Sequence, residues 1–389
     1  MPRSLIWKNP FSTIKYWMTN NKHTRPWWLR ALRALLWIAT VFFAVGLMVV
    51  SYAGKISPEH FSLAPILLLS YPFWVAGAFV TIALDIFLCH KALLVGVLAI
   101  AGCIPSLWNF SPLNILPAKA PEGSRTFTFM TYNVAAFHNF TYSFPGDINP
   151  TMSFILNTDA DIVNLQEVYT FATSESEHIT AQQVDSVYRL YDDVIISGEM
   201  QALLSKFPAD PIQSDWRNMR GNEIAIFRVF IGDTPVTIFN VHLQSYGLTA
   251  SDKLLYRELT EMNMLDFGKI DQVRRELLSK INIAACRRAE DTRHLAELIR
   301  RFGGPNVIVA GDFNDVPGCY TLDYLADLGF KEVYPEVGFG PMITYNSDKF
   351  YFRIDHVLYR GDLKPLSMER GRVRSSDHYP LIVKFALLP

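Results

Sequence analysis

Three long apolar stretches set the pattern of the first 110 residues. From Leu29 to Tyr52 the only charges are Arg30 and Arg33, and from Leu35 onward the run LLWIATVFFAVGLMVVSY carries none. With its flanks this run reaches the ~20 residues that cross ~30 Å of hydrocarbon. A second run, Phe61 to Leu84, and a third, Ala92 to Trp108, follow polar breaks at Lys55 to His60 and Asp85 to Lys91. The pattern predicts three transmembrane helices. A buried core helix is the alternative for each, most of all for the third, which holds Gly96, Gly102 and Pro105. A cleaved signal peptide is disfavoured, because the leader is long and no small-residue cleavage site follows the first run.

Past Trp108 the pattern changes. Ser111 to Arg125, SPLNILPAKAPEGSR, has three prolines and no period, which predicts an extended linker. Short β-branched and aromatic runs then alternate with turns: Thr126 to Val134, Asp161 to Gln166, Asn222 to Phe230, Pro235 to His242, Asn306 to Ala310, Arg353 to Tyr359 and Pro380 to Phe385. Between them Leu254 to Phe302 predicts helix, with Leu295, Leu298 and Ile299 on one face and Gly303-Gly304 as the stop. The expected organisation is a membrane region over 1–110, a linker over 111–125 and an α/β domain with two packed sheets over 126–389.

Composition sharpens this division. Hydrophobic residues make up 50% of the chain and charged ones 19%, which excludes a disordered tail protein. The net charge of -1 conceals a gradient, since the first 111 residues hold nine Lys or Arg against Glu59 and Asp85, while the remainder is acidic. Seven of these bases precede Ala34 with no acid among them, which places the N-terminus in the cytoplasm by the positive-inside bias. Three spans then carry the C-terminal domain to the far side, periplasmic or extracellular. The four cysteines, Cys89, Cys103, Cys286 and Cys319, form no disulfide framework.

Candidate chemistry collects at the ends of the apolar runs. Asn133 closes TFTFMTYN, Glu167 closes DIVNLQE, and Asn240 with His242 close VTIFNVH. Asp312 and Asn314 close VIVAGDFN, Asp355 and His356 lie in FRIDHVLY, and Asp377 and His378 precede the last run in SSDHYP. Each has a plain alternative: a turn-forming Asn133, a solvated Glu167, a core His242, an Asx turn at Asp312 to Asn314, an Asp355 paired with Arg353, or an Asp377 that caps the turn before Pro380. Six such coincidences at successive strand ends are harder to accept than one shared site.

The ordered set TYNV, LQEV, NVHL, GDFND, RIDHVL and SDHYP resembles the endonuclease/exonuclease/phosphatase superfamily, to which deoxyribonuclease I, neutral sphingomyelinases and inositol polyphosphate 5-phosphatases belong. The resemblance implies a four-layered α/β/β/α sandwich with its active site at one edge. It implies a divalent ion, Mg²⁺ or alternatively Mn²⁺ or Ca²⁺, held by Glu167 with Asn133 and Asp377. It further implies a catalytic His378 oriented by Asp355, Asp312 and Asn314 positioning nucleophile and phosphate, and His242 protonating the leaving oxygen. The expected function is a membrane-anchored, metal-dependent phosphodiesterase. A silent binding module on the same fold and an inositide-type phosphomonoesterase are the alternatives.

The substrate stays open between nucleic acid and a phospholipid head group. NVHL departs from the abasic-site endonuclease pattern, and FRIDHV lacks the Trp and the following Arg of the 5-phosphatase segment. The acidic balance argues against a generic nucleic-acid grip, which rests on Lys and Arg. Arginines form two local clusters, Arg217 with Arg220 and Arg274 to Arg301, of which the second predicts mainly a solvated helix face. The insertion from Leu248 to roughly Ala284 is placed to overhang the site.

Overall fold

The segment RTFTFMTYN can serve two faces of a strand, because side chains alternate along it. Phe127 and Phe129 turn one way and Met130 and Tyr132 the other, and all four are buried. In the computed structural model, which describes residues 26–138, 147–169, 178–198, 200–215, 223–247, 267–347 and 350–389, this segment is β1 (Arg125–Asn133). With β2 (Ile162–Gln166), β3 (Asp193–Ser197), β4 (Gln201–Ser205), β13 (Leu363–Arg370) and β14 (Leu381–Leu387) it forms one sheet, in the order β13-β14-β1-β2-β4-β3. The second sheet runs β5-β6-β7-β8-β12-β9, from β5 (Ala209–Asp215), β6 (Glu223–Ile231), β7 (Thr234–His242), β8 (Asn306–Asp312), β9 (Lys331–Glu332) and β12 (Asp355–Arg360). A hairpin pairs β10 (Tyr345–Ser347) with β11 (Phe350–Phe352).

Between the sheets, Phe127, Phe129, Leu203 and Phe385 meet Phe227, Ile238, Ile308 and Val357. The outer face of the first sheet packs Met152, Ile155 and Val187 of the helices Pro150–Thr158 and Ala181–Leu190 against Met130, Val163 and Leu165. Both helices begin on side-chain caps, Asn149 accepting from Met152 N and Thr180 forming a capping box with Gln183. The outer face of the second sheet packs Leu295, Leu298 and Ile299 of the helix Phe267–Phe302 against Phe239, Val241 and Val309. The result is the α/β/β/α sandwich expected from the sequence.

Two parallel pairings position the chemistry. β1 runs parallel to β2 with Asn133 beside Gln166, and β7 runs parallel to β8 with His242 beside Asp312. Antiparallel β12 starts where β8 ends, with Asp355 opposite Asp312. The carboxyl ends of four strands and the start of a fifth therefore gather at one edge.

Some elements differ from the expectation. The runs that predicted strands correspond to β1, β2, β6, β7, β8, β12 and β14, whereas β3, β4, β5, β9, β13 and the hairpin were not anticipated. The long helix is described from Phe267 to Phe302; residues 254–266 and the first part of the expected insertion lie outside the described residues, as do Arg217 and Arg220. The second arginine cluster is not uniformly solvated, because Arg288 is fully buried on Asp315 and the ring of Tyr246.

The described chain divides into two compact units, residues up to Val49 with Tyr71–Cys103, and Val50–Ser70 with Ile104–Pro389. Two helices, Trp27–Ala53, most of which lies in the first unit, and Tyr71–Leu88, which lies wholly in it, are long and apolar enough to cross a membrane, and the bent pair of His90–Gly102 from the first unit and Ile104–Phe110 from the second makes a third if taken as one span. Small residues let the helices of this unit approach: a Cβ on Gly46 would lie 1.9 Å from the Trp74 ring, and one on Gly77 would lie 2.1 Å from Phe43. Asp85 is fully buried and accepts a hydrogen bond from Thr40 Oγ1 at 2.8 Å.

The apolar run from Phe61 to Leu84 is not one helix. Ala64–Leu69 is a short helix that ends at Ser70, and a new helix starts at Tyr71. Pro72 explains the break, since it has no N–H to donate and its ring would clash with the carbonyl four residues back. The short helix belongs to the larger unit: Ala64 and Leu68 share a core cluster with Phe313, Val316 and Leu322. Arg293 binds Glu59 through two hydrogen bonds of 2.8 and 3.0 Å, and Lys55 lies 3.4 Å from Asp323.

Candidate active site

Glu167 directly follows β2 and adopts φ 57, a left-handed conformation uncommon outside glycine. Asn314, two residues past β8, does the same at φ 52. Such strained positions cluster at functional sites. Between them Gly311 takes φ 143, and a Cβ there would lie 2.0 Å from Val241 O. Only glycine can occupy that position and let β8 deliver Asp312 beside His242.

The side chains converge on a small volume. His242 Nε2 lies 3.5 Å from Glu167 Oε1 and 3.7 Å from Asp312 Oδ2. His378 Nε2 lies 3.5 Å from the same Asp312 oxygen, while its Nδ1 is 2.8 Å from Asp355 Oδ2. Ligand atoms of Glu167, His242 and Asp312, and likewise of Asp312, Asp355 and His378, all fall within 4.8 Å of one another. Asp312 is shared by both groups. Asn314 N donates to Asp312 Oδ1 at 2.8 Å, and its amide donates to Leu243 O, so the Asx turn is present but serves the cluster.

Asn133 and Asp377 stand differently. Asn133 directs its amide nitrogen to Glu167 Oε1 at 2.9 Å and to Asp312 Oδ2 at 3.1 Å, while its oxygen accepts from Ala135 N. It bridges the two carboxylates as a donor in this arrangement. Asp377 lines the same cleft but lies outside both ligand groups. Arg353 pairs with Glu332 at 3.0 Å rather than with Asp355, and Glu332 also holds His356 Nδ1 at 2.7 Å. His356 is thus a structural histidine.

Electrostatics follow from burial and crowding. Burial pushes the Asp312 carboxyl up to about 6, against the pull of His378 and His242. Burial alone would lower His378, but the Asp355 and Asp312 carboxylates outweigh it and hold the imidazole well above its usual range. Among the described residues, His242 and His378 are the only bases paired with Glu167 and Asp312.

The donor set suits a divalent cation. Two carboxylates face each other with no Lys or Arg between them among the described residues, and hard oxygen donors favour Mg²⁺, Mn²⁺ or Ca²⁺. His242 Nδ1 is buried without a hydrogen-bond partner. That leaves Nε2 as the nitrogen turned to the carboxylates.

Several contributors had no signal in the sequence. Ser376 Oγ donates to Asn133 O at 2.9 Å and accepts from His378 N at 3.2 Å, tying the last loop to β1. The Tyr345 ring meets His378 edge-on at 5.0 Å. Gln166 Nε2 donates to Asn240 Oδ1 at 2.7 Å, joining the two sheets beneath the site. Most unexpected are Ile66, Leu69 and Ser70 of the short helix and its cap, which wall a cleft of about 600 Å³ over the cluster.

The fold, and five strand positions bearing carboxylates, amides and histidines at one edge, define a phosphoesterase-type protein. The family model described as endonuclease/exonuclease/phosphatase matches residues 130–378, and the chain belongs to that family. Residues 33–110 match a second model, described as a domain of unknown function. A comparison with curated proteins returns no match. Among solved structures, truncated TDP2 of Caenorhabditis elegans is similar over 67% of this chain and 97% of its own, at 17% identity and TM-score 0.43. An endonuclease/exonuclease/phosphatase of Beutenbergia cavernae is similar over 68% and 72%, at 15% identity and TM-score 0.47. ANGEL2, a 2',3'-cyclic phosphatase in complex with adenosine-2',3'-vanadate, is similar over 70% and 99%, at 15% identity and TM-score 0.43.

Proposed function

We propose that this protein is a membrane-anchored phosphodiesterase that depends on a divalent metal. The observation that carries the reading is the convergence of Glu167, His242, Asp312 and His378 at one edge, with Asp355 behind His378. Glu167 would hold the ion, with Asn133 joining through its oxygen after rotation of the amide and Asp377 contributing from the rim. When bound, the ion neutralises charge on the non-bridging phosphate oxygens.

The remaining steps fall to the chain's own groups. His378 keeps Nδ1 on Asp355, which fixes its tautomer, and donates from Nε2 to a phosphoryl oxygen. Asp312 accepts a proton from the attacking water, which Asn314 helps to position. His242 approaches from the Glu167 side and delivers a proton to the leaving oxygen. The apolar N-terminal helices anchor this chemistry to a bilayer, with the N-terminus cytoplasmic and the catalytic unit on the far side.

The test is hydrolysis of bis(4-nitrophenyl) phosphate by the full chain in detergent. Turnover should require Mg²⁺ or Mn²⁺, stop in excess chelator, and fail in Glu167→Ala together with metal binding measured by calorimetry. Turnover that persists in chelator would overturn the metal's role.

A further inference from the structure

The cleft above the cluster is larger and more apolar than a phosphate requires. At about 600 Å³ it has the size of a site for a whole small ligand. Its floor is Glu167, His242, Asp312 and His378, but its walls are Ile66 and Leu69 on one side and Ile281, Phe350 and Phe352 on others.

The origin of the first wall is informative. Ile66 and Leu69 lie on the helix Ala64–Leu69, between two helices that are each long and apolar enough to cross a membrane. The helix is fixed to the catalytic unit through buried Ala64 and Leu68 and through the Arg293–Glu59 pair. Just before it, a Cβ on Gly54 would lie 1.7 Å from Gly318 O, so backbone rests directly on backbone there. Ser70 lines the cleft, and the next residue, Tyr71, begins an apolar helix of 18 residues. A phosphoester bound in this cleft would be tethered, one residue past Ser70, to a helix of membrane-spanning length. Leu63 at 55% exposure and Ile56 at 48% present further apolar surface on the same inter-span segment.

Charge separates the candidate substrates. Among the described residues the cleft lining includes Glu167, Asp312 and Asp377 but no Lys or Arg. A nucleic acid brings a row of phosphates that a protein meets with cations. A lipid brings one phosphate and an apolar tail.

Resting on the phosphodiesterase reading, we propose that the substrate is a bilayer phospholipid: its phosphodiester sits over the carboxylate–histidine cluster and its acyl portion lies along the wall supplied by Ile66 and Leu69. Water adds to phosphorus, one P–O ester bond breaks, and the leaving alkoxide takes its proton from His242, giving an alcohol and a phosphomonoester.

The experiment uses the full chain in nanodiscs with Mg²⁺. Its probes are vesicles of dioleoyl phosphatidylethanolamine and phosphatidylglycerol, a parallel set containing sphingomyelin, the short-chain dihexanoyl lipids, bis(4-nitrophenyl) phosphate and single-stranded DNA. Products are read by phosphorus NMR. Wild type should hydrolyse at least one long-chain lipid with higher kcat/KM than its short-chain counterpart or DNA. Ile66→Asn and Leu69→Asn should lower the ratio of long-chain lipid to bis(4-nitrophenyl) phosphate turnover at least about tenfold, the scale of one lost aliphatic contact. Should the variants prove unstable, the chain-length dependence of wild type decides alone. DNA as the better substrate, or an unchanged ratio, overturns the lipid assignment and leaves the phosphodiesterase intact. No hydrolysis of any diester overturns both.

Discussion

His378 depends on its surroundings more than any other side chain in the site. Its ring is buried, bonded through Nδ1 to Asp355 and turned through Nε2 toward Asp312. His378→Ala should lower turnover by at least ~10²-fold with little change in thermal midpoint, as loss of a proton donor predicts. A wild-type rate in that variant would remove His378 from the mechanism. Asp291 offers a separate test on stability. Burial pushes its carboxyl up to about 6, only partly relieved by the hydrogen bond from Gln244 N at 3.1 Å. Because the folded value exceeds the unfolded one, Asp291 favours folding below about pH 4, and this contribution is lost as pH rises through about 6. Asp291→Asn should therefore stabilise the protein at pH 8, on the order of 1–2 kcal/mol, and bring little gain at about pH 3, below the unfolded carboxyl value, in thermal melts. At this scale the sequence was informative about which residues meet. Runs ending in Glu167, His242, Asp312 and Asn314 end at the same sheet edge because parallel strands share a carboxyl end. It was silent on Ser376 and Tyr345, whose contacts to Asn133 and His378 depend on the path of loops. It gave no hint of the partner Arg353 takes in place of the alternative Asp355, because Glu332 comes from a two-residue strand with no pattern of its own.

Strands were legible where burial enforces a pattern. β1, β7 and β8 are buried along most of their length and carry continuous β-branched and aromatic runs. β13, LKPLSMER, contains Pro365 and ends in two exposed charged residues, and its register shifts between Pro365 and Ser367, so no alternation survives in the sequence. β10 and β11 are three residues each, too short for a period. The second apolar run was read as one span because hydropathy averages over Pro72, whereas the backbone responds to it. Gly311 is where an element's geometry and the chemistry meet. Gly311→Ala must abandon φ 143 and push Val241 away, so it should cost about 2 kcal/mol or more and displace Asp312 from His242. The check is a lowered thermal midpoint together with weakened metal binding; an unchanged midpoint would mean that the β7–β8 pairing tolerates the methyl group.

Across the whole molecule the sequence located a basic, apolar beginning and an acidic, mixed remainder, and the family match over residues 130–378 falls within the second. What it did not reveal is that residues 50–70 belong to the catalytic unit, because that segment has the composition of a membrane connector and its packing partners lie about 240 residues away. On the proposed topology, with the N-terminus cytoplasmic and three spans, the inter-span segment and the catalytic unit would share one side of the bilayer. Protease added to intact spheroplasts should then cut the catalytic unit and spare an N-terminal tag, and the reverse pattern would overturn this orientation. The core shared by Ala64, Leu68, Phe313 and Leu322 also imposes an order on biogenesis. On the proposed topology, residues 50–70 would leave the ribosome and cross with their flanking helices before Phe313 and Leu322 are made, so the early segment would wait for the part of the core that closes on it. Domain maturation would in this way be tied to insertion, and a chain whose first two helices fail to cross would lack a piece of the very domain they tether.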